Sequence, residues 1–264
     1  MTTPGEAPEM PWPLVEQVIV HEETESTNDL ARRLVQNPGL RLPVAVRAVR
    51  QTRGRGRGTN TWWSDEGSLT TTLVLDPVAH RLKPEHEPKL ALVTALTIVE
   101  TVEAYGRPRE PLGIRWPNDV EAGGKKLAGI LPERVETPLP RLLIGIGVNV
   151  KTLLDTAPLD VQKLATSVAD LLVTINPTPS PEQFFWLLLS RLERNLRRLA
   201  EDDPSLAERW ASLDTLIGRA VRVNLGPRVV TGVGRGIDAD GALVLATENG
   251  VEQLSGGQVL RDAP

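Results

Sequence analysis

The chain has 264 residues, 40% of them hydrophobic and 24% charged, and a formal net charge of −4. These values exclude a chain that is disordered throughout, and they exclude a global basic field for binding nucleic acid. The chain has no cysteine, which excludes thiolate metal sites and a cysteine nucleophile, and its three histidines are scattered, so we predict no metal site built from protein ligands.

The N-terminal segment and the apolar runs indicate the cellular location of the protein. Residues 1–13 are rich in Pro and Glu, and we predict that they form a disordered tail. They have no basic start followed by an apolar stretch, so they do not resemble a signal peptide. No apolar run approaches the ~18 residues of a membrane-spanning helix. We therefore expect a cytoplasmic protein without membrane contact.

The predicted elements up to residue 150 mix helices with strands. The polar cluster that starts at Ser26 could cap a helix, which a Pro-Gly pair at 38–39 ends. Apolar spacing predicts a buried helix over 89–103. The predicted strands lie at 44–49, 68–75, 114–116, 126–131 and 142–150. We expect the fourth strand to be the antiparallel partner of the third.

The second half begins with helices and ends with short strands. Ser180-Pro181-Glu182-Gln183 has the form of a capping box and predicts a helix start, and Pro204 predicts a second helix that ends near Leu213. From residue 217, five short strands at 221–225, 229–233, 242–246, 251–254 and 259–260 alternate with Gly-containing turns, which suggests a small β-barrel. We place a domain boundary at residue 214, between a domain of 14–214 and a domain of 215–264.

The Gly/Arg loop, 51–58, has the sequence Gln-Thr-Arg-Gly-Arg-Gly-Arg-Gly. Glycines allow a backbone to approach a ligand closely, and arginines supply forked donors for phosphate or carboxylate. The segment is not a dinucleotide fingerprint, because Thr59 replaces the third glycine and Trp62-Trp63 follows instead of a helix. It could wrap an anionic ligand, or be a solvated loop or a weak RNA-binding tract.

Three further segments carry candidate site residues. Asp119 follows a strand within Trp-Pro-Asn-Asp, and strand pairing could bring Lys126 close to it, either in a site or as a surface ion pair. Glu-Ser-Thr-Asn at 25–28 could cap a helix, bind a polar head group, or do both. Gly-Ile-Gly-Val-Asn at 145–149 could be a buried strand whose glycines allow close packing, or could place Asn149 at a ligand.

Together, these segments resemble the motifs of the biotin protein ligase family in their order, their spacing and their amino-acid sequences. The matching words are Ser-Thr-Asn, Gln-Thr-x-Gly-Arg-Gly-Arg-Gly, Trp-Pro-Asn-Asp, Lys-Leu-Ala-Gly-Ile-Leu and Gly-x-Gly-x-Asn. A Gly-Arg-Gly-Ile-Asp segment at 234–238 resembles the family's small end domain. The resemblance covers roughly residues 14 to 261.

The resemblance implies an α/β fold of the α+β type, with a mixed β-sheet catalytic domain packed with helices and a C-terminal SH3-like β-barrel. It implies a ligase that converts biotin and ATP, with Mg²⁺, to biotinyl-5′-AMP and pyrophosphate. The adenylate then passes biotin to one lysine of a biotin carboxyl carrier protein, of acetyl-CoA carboxylase or a related carboxylase. The sequence leaves the oligomeric state open.

The resemblance also assigns roles to particular residues. The biotin and nucleotide site would comprise Ser26, Thr27, Asn28, Gln51, Gly54, Arg55, Gly56, Arg57, Trp62, Lys126, Asn149 and Arg235. Asn149 and Arg235 would face the nucleotide, and Trp62 would pack on the ligand. Arg55, Arg57 and Lys126 can screen the repulsion between carboxylate and phosphate, and Asp119 can orient or deprotonate the acceptor amine.

Two departures from the family pattern and two competing classes also bear on function. Gly58, Thr59 and Asn60 stand where many bacterial members carry a further basic pair. About two dozen proline-rich residues precede Glu25, too few for the helix-turn-helix of bifunctional members, so we expect no DNA-binding repressor role and no nucleic-acid partner. The competing classes are an ATP-dependent lipoate ligase, which should lack the Gly/Arg loop spacing, and an RNA-binding module that uses Trp62 and Trp63 for stacking. A catalytically inactive homologue is a third alternative, which a single-turnover assay would exclude.

Overall fold

The computed structural model describes residues 14–136, 139–173 and 178–260. The predicted tail at 1–13 therefore lies outside the described residues. Within them, fourteen strands and six α-helices form a large mixed sheet covered by helices, a two-stranded ribbon and an antiparallel C-terminal sheet. The described helices include none that is long and apolar enough to cross a membrane.

The large sheet has seven strands in the order β1-β2-β5-β9-β8-β7-β6. Their bounds are β1 Gln17–Thr24, β2 Val44–Gln51, β5 Ser68–Leu75, β6 Leu112–Arg115, β7 Asp119–Ala122, β8 Lys125–Val135 and β9 Arg141–Asn149. Only the β1–β2 pair is parallel, so the sheet is mixed. The predicted strands at 44–49, 68–75 and 142–150 are confirmed, whereas β1 was not predicted.

Helices cover both faces of this sheet. Helix α1 (Thr27–Leu34) packs on one face, where Ala31 lies among apolar residues of β2, β5 and β9. Helices α2 (Leu90–Tyr105) and α5 (Pro181–Ala200) pack together on the other face, and α6 (Pro204–Ser212) extends this layer. Because both faces are covered, every residue of β5 is buried. The three predicted helices of this layer are confirmed.

The prediction that 126–131 pairs with 114–116 was wrong. After β6, the chain reverses at Pro117-Asn118 and forms the short strand β7, which pairs with both β6 and β8. Gly123 and Gly124 then make the next turn with φ of 56° and 77°, a backbone region that favours glycine. Strand β8 therefore lies one strand further from β6 than the sequence suggested.

Helices α3 (Leu159–Leu164) and α4 (Val168–Leu171) were not predicted, and the Gly/Arg loop is not wholly irregular. Its residues Gly54–Arg55 (β3) pair antiparallel with Thr61–Trp62 (β4) in a two-stranded ribbon. The ribbon fixes the direction in which the intervening residues leave the sheet.

The C-terminal sheet contains all five short strands that the sequence predicted. They are β10 Ala220–Asn224, β11 Val229–Ile237, β12 Leu243–Thr247, β13 Gly250–Leu254 and β14 Gln258–Val259, in the order β13-β12-β11-β10-β14. No pairing among the described residues closes this sheet into a barrel. Two indole groups attach it to the rest of the chain: Trp116 Nε1 donates to Gly241 O (3.0 Å) and Trp210 Nε1 to Asp238 O (3.1 Å).

Candidate active site

A cavity of about 880 Å³ lies between the large sheet, the Gly/Arg loop and one edge of the C-terminal sheet. It brings together segments that are far apart in the sequence. The predicted site residues that line it are Ser26, Thr27, Asn28, Gln51, Arg55, Gly56, Arg57, Trp62, Asp119, Lys126 and Asn149. Gly54 and Arg235 are not among the lining residues.

The start of α1 forms a polar end of the cavity. Ser26 occupies the N-cap position with extended backbone, as predicted, but its side chain makes no capping hydrogen bond. Instead, the Thr27 backbone N–H donates to Gln51 Oε1 over 2.7 Å. Ser26, Thr27 and Asn28 are all nearly fully buried and line the cavity. The Asn28 amide already bonds to Glu133 and Thr72, and the Thr27 hydroxyl bonds to Thr72, so protein partners hold these two side chains in place.

The Gly-x-Gly segment of β9 makes room for two side chains of the site. A Cβ at Gly145 would lie 2.1 Å from Asn28 Oδ1, and a Cβ at Gly147 would lie 2.5 Å from Trp62 Cε2. Gly129 of β8 pairs with Gly147, and a Cβ there would lie 3.3 Å from the same indole. The paired glycines 129 and 147 are hereafter the glycine seat of Trp62. Gly147 and Gly129 thus accommodate the Trp62 side chain, and Gly145 allows helix α1, which carries Asn28, to pack closely on β9, as in the alternative that we had weighed.

Lys126 and Asp119 form the ion pair that the sequence suggested. Lys126 Nζ lies 2.7 Å from Asp119 Oδ1, and the two side chains are 33% and 21% exposed. A bulge between Val120 and Glu121 shifts the β7–β8 register. The ammonium also lies 5.7 Å from the centroid of the Trp62 ring, within the range of a cation–π contact. A cation and a carboxylate are therefore held together on the cavity wall.

Two carboxylates that sequence reasoning missed hold Arg55. Its guanidinium donates to Asp29 Oδ1 over 2.8 Å and to Glu133 Oε1 over 2.9 Å. Burial acts to lower the pKa of Arg55, but the charges and hydrogen bonds of Glu133 and Asp29 outweigh it and raise that pKa. Glu133 is the second residue after the matched Lys-Leu-Ala-Gly-Ile-Leu segment, and this proximity is the signal that could have identified it.

Arg57 connects the Gly/Arg loop to the C-terminal sheet. Its guanidinium donates to the carbonyl of Gly257, which lies between β13 and β14. Burial lowers the pKa of Arg57, and the Asp119 carboxylate opposes this shift. The C-terminal residues that line the cavity are Asn224, Leu225, Gly256, Gly257, Gln258, Val259 and Leu260, and none of them was predicted. The C-terminal sheet thus contributes one wall of the site.

The two residues predicted to face a nucleotide are placed differently. Asn149 is buried at the cavity, and its Nδ2 donates to Thr166 O over 3.0 Å, so it supports the segment that carries α3. Arg235 is exposed on β11 and lies outside the cavity lining. Among the residues that the structure describes, no group of three or more His, Cys, Asp or Glu side chains could hold a metal ion.

Comparisons with known proteins identify the family. Residues 20–149 match the model of the biotin/lipoate A/B protein ligase family, and residues 216–261 match the biotin protein ligase C-terminal domain. The chain is 32% identical over 250 residues to a biotin–[acetyl-CoA-carboxylase] ligase of Mycobacterium tuberculosis, covering 92% of this chain and 88% of that one. It is 28% identical to a bifunctional ligase/repressor of Bacillus spizizenii, covering 90% of this chain and 72% of the relative.

A solved structure extends the similarity to the fold. The biotin protein ligase from Aquifex aeolicus, in complex with biotin and ATP, matches with a TM-score of 0.76 and 26% identity over 93% of this chain and 98% of that one. The chain belongs to the biotin protein ligase family, and it is an enzyme of the ligase class.

Proposed function

We propose that this enzyme activates biotin with ATP and transfers it to one lysine of a biotin carboxyl carrier domain. In the first step a biotin carboxylate oxygen bonds to the α-phosphorus of ATP, and pyrophosphate leaves. In the second step the lysine amine bonds to the carboxyl carbon, and AMP leaves. The relatives that support this are named as biotin–[acetyl-CoA-carboxylase] ligases, and the Aquifex aeolicus enzyme is described in complex with biotin and ATP.

The observation that carries the proposal is the single cavity in which the five motif segments meet. Its polar end, at Ser26, Thr27 and Gln51, offers neutral donors and acceptors that suit a ureido ring. Farther along, Lys126 and Arg57 can offset the repulsion between a carboxylate and a phosphate. We propose that Mg²⁺ arrives on the nucleotide phosphates, which fits a cavity whose described residues include no metal-binding cluster.

We propose that Asp119 acts in the transfer step. Its carboxylate lies beside Lys126 and is partly exposed, so an incoming lysine amine can reach it. A carboxylate there can orient the amine and accept its proton as the new amide forms. We assign no direct ligand contact to Gly54 or Arg235. Gly54 leaves space for the Gln51 amide, because a Cβ there would be 2.8 Å from Gln51 Nε2, and Arg235 is exposed.

We propose further that the two matched regions are two domains, 14–214 and 215–264, the second an SH3-like module. The five short antiparallel strands and the match to the family's C-terminal domain support this. We propose a cytoplasmic location, where ATP is available, and no role in binding DNA, which the net charge of −4 supports. A footprint on the promoter of a biotin synthesis gene at moderate salt would contradict the last point.

The direct test uses the purified chain, biotin and MgATP without an acceptor. Mass spectrometry should detect biotinyl-AMP, and pyrophosphate should accumulate in proportion to enzyme. Adding a carrier domain should then increase the mass of one lysine by that of biotin minus water. If lipoate is adenylated and biotin is not, the proposed substrate is wrong.

A further inference from the structure

Glu133 joins three segments of the site without lining the cavity itself. It accepts hydrogen bonds from Arg55 (2.9 Å) and Asn28 Nδ2 (2.9 Å), and it forms an ion pair with Arg32 (3.0 Å). Arg55 and Asn28 line the cavity, whereas Glu133 and Arg32 are not among the lining residues. The Glu133 side chain is only 15% exposed, so its charge is weakly screened by solvent.

The geometry at Arg55 differs from that of a residue waiting for an anion. One terminal nitrogen donates to Asp29 and the other to Glu133, so protein carboxylates already balance the positive charge. Arg57, in contrast, donates to a neutral carbonyl, and its pKa is lowered by burial. Arg55 therefore suits a fixed wall of the cavity, and Arg57 suits the charge that meets a phosphate.

Glu133 also fixes the orientation of the Asn28 amide. Asn28 Nδ2 donates to Glu133 Oε2 and to Leu131 O (3.3 Å), so Oδ1 faces the Thr72 hydroxyl at 2.6 Å. The reversed amide would turn Oδ1 toward the Glu133 carboxylate and the Leu131 carbonyl, neither of which can donate, so both of those hydrogen bonds would be lost. Gly145 leaves the space in which this amide lies.

We propose that Glu133 is a positioning residue for biotin binding. It holds the Arg55 guanidinium and the Asn28 amide in the arrangement that receives the ligand, and it fixes the ribbon end of the Gly/Arg loop. The proposal rests on the proposed function, because biotin is the ligand that it assigns to this end of the cavity. It also predicts that the effect of Glu133 acts through Arg55 and Asn28 and not through overall stability.

The kinetic test compares Glu133→Gln with Arg32→Met. Glu133→Gln removes the charge that accepts the hydrogen bonds of Arg55 and Asn28. Because hydrogen bonds to charged groups are among the stronger ones, we expect the KM for biotin to rise about tenfold. Because the contacts exist before the chemical step, kcat at saturating biotin should stay within about twofold of wild type. Arg32→Met removes a partner of the same carboxylate that does not line the cavity, so it should leave the KM unchanged. An unchanged KM in Glu133→Gln, or an equal rise in Arg32→Met, would overturn the proposal.

A second measurement reports on Arg55 without requiring activity. Trypsin must draw the arginine side chain away from its partners, so Glu133→Gln should increase cleavage after Arg55 relative to cleavage after Arg53. Arg53, which pairs with Glu25 and is 71% exposed, is the internal reference. If Glu133→Gln does not fold, Asp29→Asn should change the same ratio by releasing the other nitrogen. An unchanged cleavage ratio in a folded variant would overturn the role proposed for Glu133. Failure of the wild-type enzyme to form biotinyl-AMP would instead contradict the proposed function, so the two failures can be distinguished.

Discussion

The glycine seat of Trp62 gives a prediction whose size can be worked out from the structure. A methyl group at Gly147 would lie 2.5 Å, 2.8 Å and 2.9 Å from three atoms of the indole. To restore an ordinary contact of 3.4 Å, the indole would have to retreat by about 0.9 Å. Gly147→Ala should therefore displace Trp62, because a ring cannot bend away and the β9 backbone is fixed by strands on both sides.

The two glycines of the seat should differ in their response. At Gly129 the nearest atoms are the flexible end of Lys126 at 3.2 Å and the indole at 3.3 Å, so small adjustments suffice for Gly129→Ala. Overpacking in a rigid site costs about 1–3 kcal/mol. If about 2 kcal/mol of transition-state stabilisation is lost with the site geometry, the rate falls roughly thirtyfold. Trp62 belongs to a two-residue strand, so we expect the ribbon to move and stability to change little.

The assay is biotin-dependent exchange of pyrophosphate into ATP, together with the midpoint of thermal unfolding. Gly147→Ala should lose at least about tenfold in exchange rate, and Gly129→Ala about threefold or less. Gly39→Ala, whose methyl would meet only Asn37 Oδ1 at 3.4 Å, is the control. In a Trp62→Ala background, Gly147→Ala should have little further effect. A Gly147→Ala enzyme with full activity, or the same loss with and without Trp62, would refute the reasoning.

Three further predictions concern the cation, the loop and the pH dependence of stability. Lys126→Ala should lower the rate of adenylate formation by ~10²–10³, whereas Lys125→Ala, a change at an exposed neighbour, should leave that rate unchanged. Near wild-type adenylation by Lys126→Ala would show that Lys126 is only a surface residue. Trypsin should cleave the free enzyme within the Gly/Arg loop, and biotin with MgATP should slow that cleavage; equal rates would show that the loop does not close over the ligand. Hydrogen bonds from Lys83 and His86 lower the pKa of Asp202 from 3.8 to about 2. The resulting stability is present above pH 3.8 and is lost as the pH falls through about 2, so urea titrations should find Asp202→Asn destabilised at pH 7 but not near pH 2.

The elements that could be predicted are those whose signal is local. Strand β5 is rich in Thr, Leu and Val, and helix α2 carries apolar residues at helical spacing. The start of α5 carries its own capping box, in which Gln183 N donates to Ser180 Oγ. Strand β1 was missed because it is a half-exposed edge strand, and its pairing with β2 is made 27 residues away along the chain. Strand β7 was missed because four residues between two turns show no periodicity.

The site divides in the same way. The motif words indicated which residues would meet, and the cavity brings most of them together, although their roles stay predictions. The partners that hold them could not be predicted, because Glu133 and Arg55 are 78 residues apart and neither spacing nor composition links them. The same applies to Gly145. The need for glycine there follows from the contact with Asn28, which only the structure shows.

The hydrogen bond from Arg57 to Gly257 has a consequence for the whole molecule. This bond joins the Gly/Arg loop, the segment that would enclose the ligand, to the C-terminal sheet. The conformation of the loop and the position of Gly257 are therefore energetically coupled. By thermodynamic reciprocity, if the contact between Arg57 and Gly257 favours ligand binding by some factor, the bound ligand favours that contact by the same factor. Occupancy of the cavity should therefore slow amide hydrogen exchange in β14, which begins next to Gly257, and in β10, which pairs with β14.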